Sequence, residues 1–453
     1  MNRLGPALAG AFFCLAAGLA AAGPRVQTFT LANGLQVVVI PDHRVPIVTH
    51  MIWYRAGAAD DPWGSSGVAH FLEHLMFKST GRIKSGEFSR TITSLGGRDN
   101  AVTTHDTTSY YQRVAKEHLR SVMVLEADRM ANLRFIDEEV RTERDVIREE
   151  RRSTVEANPL TVLSEQMLAV LYYNHAYGRP VLGWAHEMSK LLRQDVLTFY
   201  RRFYAPNNAV LVVAGDVTPE EVRPLAQATY GANKPNPAAV RRPRPQEPPP
   251  IVARRVTLED ERAGATVLVR FYDVPSFPSA RKDEAESLDL LAHIIGGDDT
   301  SRLYRHFVGG GLAATAGVTY LGTGLDSGRI AIILIPLPEV PLEKAEAALD
   351  AIIDDVREKG ITQQELDRAK SSLEARRVFE SDNQMTLARR YGEWSALGRP
   401  ISDLETIPKR MQDVSADTAK RVAHELLVAQ RSVTGILKRP IARTASPAAT
   451  ATK

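Results

Sequence analysis

The sequence predicts an α+β protein built from two tandem, homologous α/β domains. Three observations predict it. The chain has 453 residues, more than one ordinary hydrophobic core accommodates. The stretch from Lys234 to Pro250 holds seven prolines and neither helical nor strand periodicity, so it reads as an extended connector. The segments on either side, 24–233 and 251–440, run through a similar order of elements.

That order is visible residue by residue. Val26 to Ile40 consists of two β-prone runs around Asn33-Gly34, a strong hairpin signal. Ile47 to Tyr54 reads as a strand that leads through a loop into a helix over Ser65 to Phe77. In the second segment Ala265 to Asp273 reads as a strand leading into a helix near Asp283 to Ile295. Further strands are expected near Asp99–Ala115 and Asn208–Ala214. Residues 441–453 are rich in Ala, Thr and Pro and read as a disordered tail.

Composition narrows the function. Hydrophobic residues make up 44% and charged residues 25%, as in soluble globular proteins. A formal net charge of +3 with no long basic run argues against nucleic acid or a membrane surface as partner. At the N-terminus, Asn2-Arg3 precedes an apolar run from Leu4 to Leu19 and the small residues Ala20 to Gly23. This reads as a signal peptide over 1–23, with a membrane anchor as the competing reading. The run is short for a span and rich in Ala and Gly, which favours cleavage and no membrane span thereafter. The single cysteine, Cys14, lies in this segment, and Ala11-Phe12-Phe13 before it does not resemble an acylation site. A mature chain without cysteine would have to hold any metal through His, Asp or Glu.

One short motif carries chemistry. His70-Phe71-Leu72-Glu73-His74 reads H-x-x-E-H, the mirror of a zinc-protease signature, and places both imidazoles on one helix face. Val68, Phe71, Leu72, Leu75 and Met76 form a separate apolar face. Two surface histidines beside a solvated glutamate are the alternative. Zinc needs a third protein ligand and, for catalysis, an open fourth position. The helix Asp137 to Glu150 offers Glu143 and Glu150 two turns apart, beside Val146 and Ile147. Solvated i,i+4 pairs with Arg144, Arg148 and Arg151 are the alternative there. His105 reads as a strand residue, His293 as a packed histidine, and Gly309-Gly310-Gly311 lacks the spacing of a phosphate loop.

Several segments together resemble the M16 family of metallopeptidases, which includes pitrilysin, insulin-degrading enzyme and mitochondrial processing peptidase. The likeness is to half-length bacterial members and to the processing-peptidase β subunit. His70-Phe-Leu-Glu-His-Leu-Met-Phe-Lys-Ser-Thr80 resembles the family's helix, and Glu143-Arg-Asp-Val-Ile-Arg-Glu-Glu150 its E-R-x-V-I-x-x-E segment. Gly96 to Asp106, His175 to Gly183 (with Ala176 for the usual proline) and Phe203 to Asp216 resemble further family segments.

The resemblance implies antiparallel sheets packed with helices, forming half of a clam-shaped chamber. It implies a zinc-dependent endopeptidase acting on short or unfolded peptides. His70, His74 and Glu150 would be the zinc ligands, Glu73 the general base for a zinc-activated water, and Glu143 an accessory catalytic residue. Asn100 and Ala101 would lie along the substrate. In the second half, Thr300 to Phe307 resembles the S-R-L-(F/Y) helix, so Arg302 is a candidate substrate contact. The family's R-G-L-A-Y-S is here Gly310-Gly311-Leu312-Ala313-Ala314-Thr315, without the tyrosine. A dimer would complete the chamber, and the missing tyrosine points to a heterodimer whose partner supplies the Arg/Tyr contacts. The signal segment places the mature chain in the periplasm. A non-catalytic assembly subunit of an M16-type complex is the alternative function.

Overall fold

The computed structural model describes residues 26–240 and 243–440. The signal segment and the tail beyond 440 lie outside the described residues. Two sheets organise the chain. The first contains β1 (Gln27–Thr30), β2 (Gln36–Pro41), β3 (Ile47–Tyr54), β4 (Arg98–Thr103), β5 (Thr108–Ala115) and β6 (Ala209–Gly215), in the order β1-β2-β6-β3-β5-β4. The second contains β7 (Arg254–Glu259), β8 (Val267–Val274), β9 (Ala313–Leu321), β10 (Gly328–Pro336) and β11 (Ser432–Lys438), in the order β7-β11-β8-β10-β9.

Without β1 the two orders coincide, so the repetition suggested by the sequence is a repetition of topology. Most pairs are antiparallel. In each sheet one pair, β2–β6 or β7–β11, is parallel, because the closing strand returns only after a run of helices. The Asn33-Gly34 turn joins β1 to β2 in antiparallel register, and Gly34 takes the left-handed conformation (φ +88°) that such a turn needs.

Alternation along the strands sorts side chains to two faces. Val37 and Val39 of β2 face a core shared with Phe71, Leu72 and Leu75. Val38 and Ile40 face the other way, onto Leu387, Ala388 and Ala396. Those residues belong to the helix Gln384–Ala396, from the far side of the connector. The second sheet is served reciprocally. Its own helices, among them Glu284–Gly296, cover one face, while Leu163, Met167 and Leu171 of the helix Pro159–Leu171 pack on Val267, Val269 and Val433 on the other. Each such fully buried aliphatic side chain contributes about 1.5–3 kcal/mol. Burial on both faces also explains why β6 is apolar along its whole length.

The connector is pinned at Arg244. Its guanidinium donates to Asp326 at 2.9 Å and Asp60 at 3.2 Å, and to Asp106. Asp60 and Asp106 come from the first half, Asp326 from the second. The stretch is thus irregular and clamped to both halves.

Candidate metal centre

The helix bearing the H-x-x-E-H motif spans Val68–Leu75, shorter at both ends than the pattern predicts. Its N-terminus is set by Asp61, whose carboxylate accepts from the Gly67 and Ala69 amides at 2.7 and 3.0 Å. These donors would otherwise be orphaned at a buried helix start. Gly67 is left-handed (φ +88°), and a Cβ there would lie 2.5 Å from the Leu182 carbonyl oxygen. The 180–183 turn therefore presses directly on the beginning of this helix. Val68, Phe71, Leu72, Leu75 and Met76 are all buried to 1% exposure or less, which leaves His70, Glu73 and His74 on the opposite face.

The helix Asp137–Arg151 crosses that face. Three acids in its first turn suit the positive end of the helix dipole. Val140 and Ile147 are buried and turn Glu143 and Glu150, two turns apart, toward the histidines. Val146, grouped with them by the sequence pattern, is instead 46% exposed. Expected solvated pairs do not form at Glu143 or Glu150. Arg144 donates to the Leu191 carbonyl, Arg148 to Asp145 and Arg151 to Glu165. Glu149 pairs with Arg152 on the outside.

His70, His74 and Glu150 each direct one ligand atom to a common point, all within 4.8 Å of one another. Glu150 Oε2 lies 3.5 Å from His70 Nε2 and 3.2 Å from His74 Nε2. Donors at ordinary zinc bond lengths sit about 3.4 Å apart along a tetrahedral edge, so these separations suit a zinc ion. Glu150 Oε2 is buried and faces both imidazole nitrogens without a well-aligned hydrogen bond to either, an arrangement that a cation shared by the three would satisfy. The donor set fits zinc on chemistry and spacing alike.

Charge agrees with geometry. Burial, together with neighbouring His74, holds His70 down to about 4. At His74 burial acts in the same direction, but Glu143 and Glu150 outweigh it and lift the imidazole to about 9. Glu150 is lowered chiefly by its contact with His74. Burial pushes Glu143 up, yet His74 and Lys78 bring it below the usual range. A proton on His74 thus occupies a place that two carboxylates prepare for positive charge.

Two further contacts shape the centre. Glu143 Oε1 meets His74 Nδ1 at 2.9 Å and its Oε2 meets Lys78 Nζ at 2.5 Å, so Glu143 orients an imidazole instead of joining the trio. Thr103 donates from Oγ1 to Glu73 Oε2 at 2.5 Å. Burial raises Glu73, and Thr103 partly offsets it. Neither Thr103 nor Lys78 stands out in the sequence. Both lie inside family-like segments, Gly96 to Asp106 and His70 to Thr80, but a lone hydroxyl or ammonium has no spacing signature.

Two models of one peptidase family match in succession. "Insulinase (Peptidase family M16)" matches residues 36–184 and "Peptidase M16 inactive domain" matches residues 190–373. The chain belongs to peptidase family M16. Among M16 relatives, the zinc protease PqqE of Helicobacter pylori is 28% identical over 417 residues, covering 92% of this chain and 93% of that one. An uncharacterized zinc protease, YmxG of Bacillus subtilis, is 22% identical over 401 residues, covering 88% and 95%. The crystal structure of a protease from Helicobacter pylori superposes with a TM-score of 0.86 at 27% identity, over 92% of this chain and 100% of that chain. The first half of the periplasmic protease PqqL from Escherichia coli gives 0.78 at 22% identity, over 92% and 93%.

The remaining sequence candidates sit elsewhere in this M16 chain. Asn100 and Ala101 lie on β4, which among the described residues pairs only with β5 and leaves its other edge unpaired. Arg302 is not directed at the centre. Its donors are taken by Glu365, Asp355 and the Gly360 carbonyl. Tyr320, the first tyrosine after the place where the family's R-G-L-A-Y-S has one, donates to the Pro275 carbonyl at 2.7 Å. His105 is not a strand residue. It lies half-buried in the β4–β5 turn, with Nε2 on the Arg179 carbonyl at 2.9 Å, because the chain must reverse between Thr103 and Thr108. His293 is packed at 6% exposure beside Asp298.

Proposed function

We propose that this M16 chain is a zinc-dependent endopeptidase for short or unfolded peptides. The observation that carries the reading is the convergence of His70, His74 and Glu150, with Glu73 beside them on the same helix. His70 and His74 would hold zinc through Nε2 and Glu150 through Oε2. When bound, zinc would activate water and polarise a scissile carbonyl. Glu73 keeps Oε2 against Thr103, which leaves Oε1 to take a proton from the attacking water and return it to the leaving amine. Glu143 fixes the His74 ring through Nδ1. A substrate in extended form would add to the free edge of β4 at Asn100 and Ala101, which favours unfolded chains over folded ones.

Residues 24–233 would form the zinc-binding unit, 234–250 the connector and 251–440 its companion. The chain matches 48% of full-length PqqL, which supports pairing with a second M16-like half, in a homodimer or a heterodimer. The signal segment supports a periplasmic location. No described helix is long and apolar enough to cross a membrane.

The test is hydrolysis of a quenched fluorescent peptide by the purified chain, alone and with a related half-length subunit, alongside metal analysis. Turnover that a chelator abolishes and zinc restores is the expected result. Stoichiometric zinc without turnover in either preparation would instead indicate an assembly subunit.

A further inference from the structure

A second site lies beyond the end of β4. A cavity of about 180 Å³ opens between the halves, lined by Thr104, His105, Tyr172, Asp106, Arg329 and Glu393 among others. It begins one residue after Thr103, the hydroxyl that holds Glu73.

The charges around this cavity do not balance. Asp106 is already consumed, by Arg244 at one oxygen and by the Tyr177 hydroxyl (2.5 Å) and the Leu325 amide (2.9 Å) at the other. Glu393 is pushed up by burial, with Thr323 as its hydrogen-bonding partner. Arg329 is different. It is half-buried, at the start of β10, directly across from Asp273 of β8. Yet Asp273 turns away, accepting from Ser327 at 2.5 Å and lying 3.8 Å from Arg431. Among the described residues no carboxylate lies within ion-pair distance of Arg329. Its Nε is buried without a hydrogen-bond partner, and its guanidinium sits 4.5 Å over the Phe271 ring. Burial lowers its affinity for its own proton, with only Tyr172 opposing.

A half-buried guanidinium with no anion beside it and a buried, unpartnered Nε is costly. The ring beneath it fixes its plane, and a planar fork of donors matches a carboxylate in bidentate fashion. We propose that Arg329 is the anchor of a carboxylate-binding site in this cavity, sized for a peptide C-terminus or a small organic acid. The assignment is independent of the zinc reading, since none of its residues touches the His70–Glu150 trio.

The test uses ligands too short to be cut by an endopeptidase. Calorimetric titration of the full chain with N-acetylalanine should show saturable binding, at least tenfold weaker with N-acetylalaninamide or with Arg329→Met, and only partly recovered with Arg329→Lys, whose single ammonium cannot form the bidentate pair. Tighter binding of N-acetylalanine than of acetate assigns the site to peptide termini. Equal binding assigns it to free small acids, and either outcome keeps the carboxylate site. Inorganic phosphate binding as tightly as N-acetylalanine would overturn it, as would equal binding by the amide or no binding at all. Thermal unfolding gives a second reading. Without ligand, Arg329→Met should unfold about 2 °C or more above the parent chain, because an uncompensated charge is gone. A lower midpoint in that variant would show that Arg329 is already satisfied by the protein and would sink the proposal.

Discussion

His74 Nδ1 and Glu143 Oε1 stand 2.9 Å apart, and this contact aims the other ring nitrogen of His74 at Glu150. One carboxylate therefore orients the imidazole that the other carboxylate contacts. Replacing Glu143 with Gln should weaken zinc binding about 10- to 100-fold while the fold persists. Competition with a chromophoric chelator measures this directly. An unchanged affinity would show that the contact does not orient the ring.

Glu73 and Thr103 should separate binding from chemistry. Glu73→Gln is expected to retain zinc and to lose about 10²- to 10⁴-fold in kcat. Thr103→Val should lower kcat with zinc content and KM unchanged, and Thr103→Ser should recover most of the loss. If Thr103→Val instead raises KM alone, the hydroxyl serves the substrate and not Glu73.

Arg302 yields a prediction about stability. Its guanidinium holds Glu365 well down, from the ordinary 4.5 to about 2. A depressed acid stabilises the fold fully above its unfolded value and loses that contribution as the pH falls toward its folded value. Urea midpoints should therefore drop between about pH 4.5 and pH 2, and Glu365→Gln should flatten part of that slope. Arg302→Ala should lower the midpoint at pH 7. Wild-type stability with an increased KM would return Arg302 to the substrate.

The Arg244 clamp should be costly to break. Arg244→Ala removes the guanidinium shared by Asp60, Asp106 and Asp326, and Asp106 is nearly fully buried. A loss of about 3–5 kcal/mol follows for a buried pair stripped of one member, readable by chemical denaturation. Arg244→Lys should recover only part, since a single ammonium cannot fork among three carboxylates.

These sites differ in how far the sequence exposes them. The Asn33-Gly34 turn, the faces of the His70 helix and the spacing of Glu143 and Glu150 are local, set by dihedral preference and helical period. The partner of Glu143 is not local. It depends on how two helices cross, and a solvated arrangement with neighbouring arginines satisfies the same pattern. Arg244 lies in a stretch that reads as a plain connector, because three acids scattered along the chain converge on it only after folding. His105 shows the converse error. An alternating run looks continuous from Asp99 to Ala115, and nothing periodic marks where it reverses.

The exchange of helices across the connector has a consequence for the chain's history. Leu387 is selected by strands that precede it by most of the sequence, and Leu163 by strands not yet synthesised when it leaves the ribosome. Neither copy of the repeated topology retains a complete exterior of its own. The two units of shared topology are obligate companions, each covering a sheet face of the other. Either one made alone should be sticky and short-lived, and the two should be inherited, transplanted and lost only as a pair.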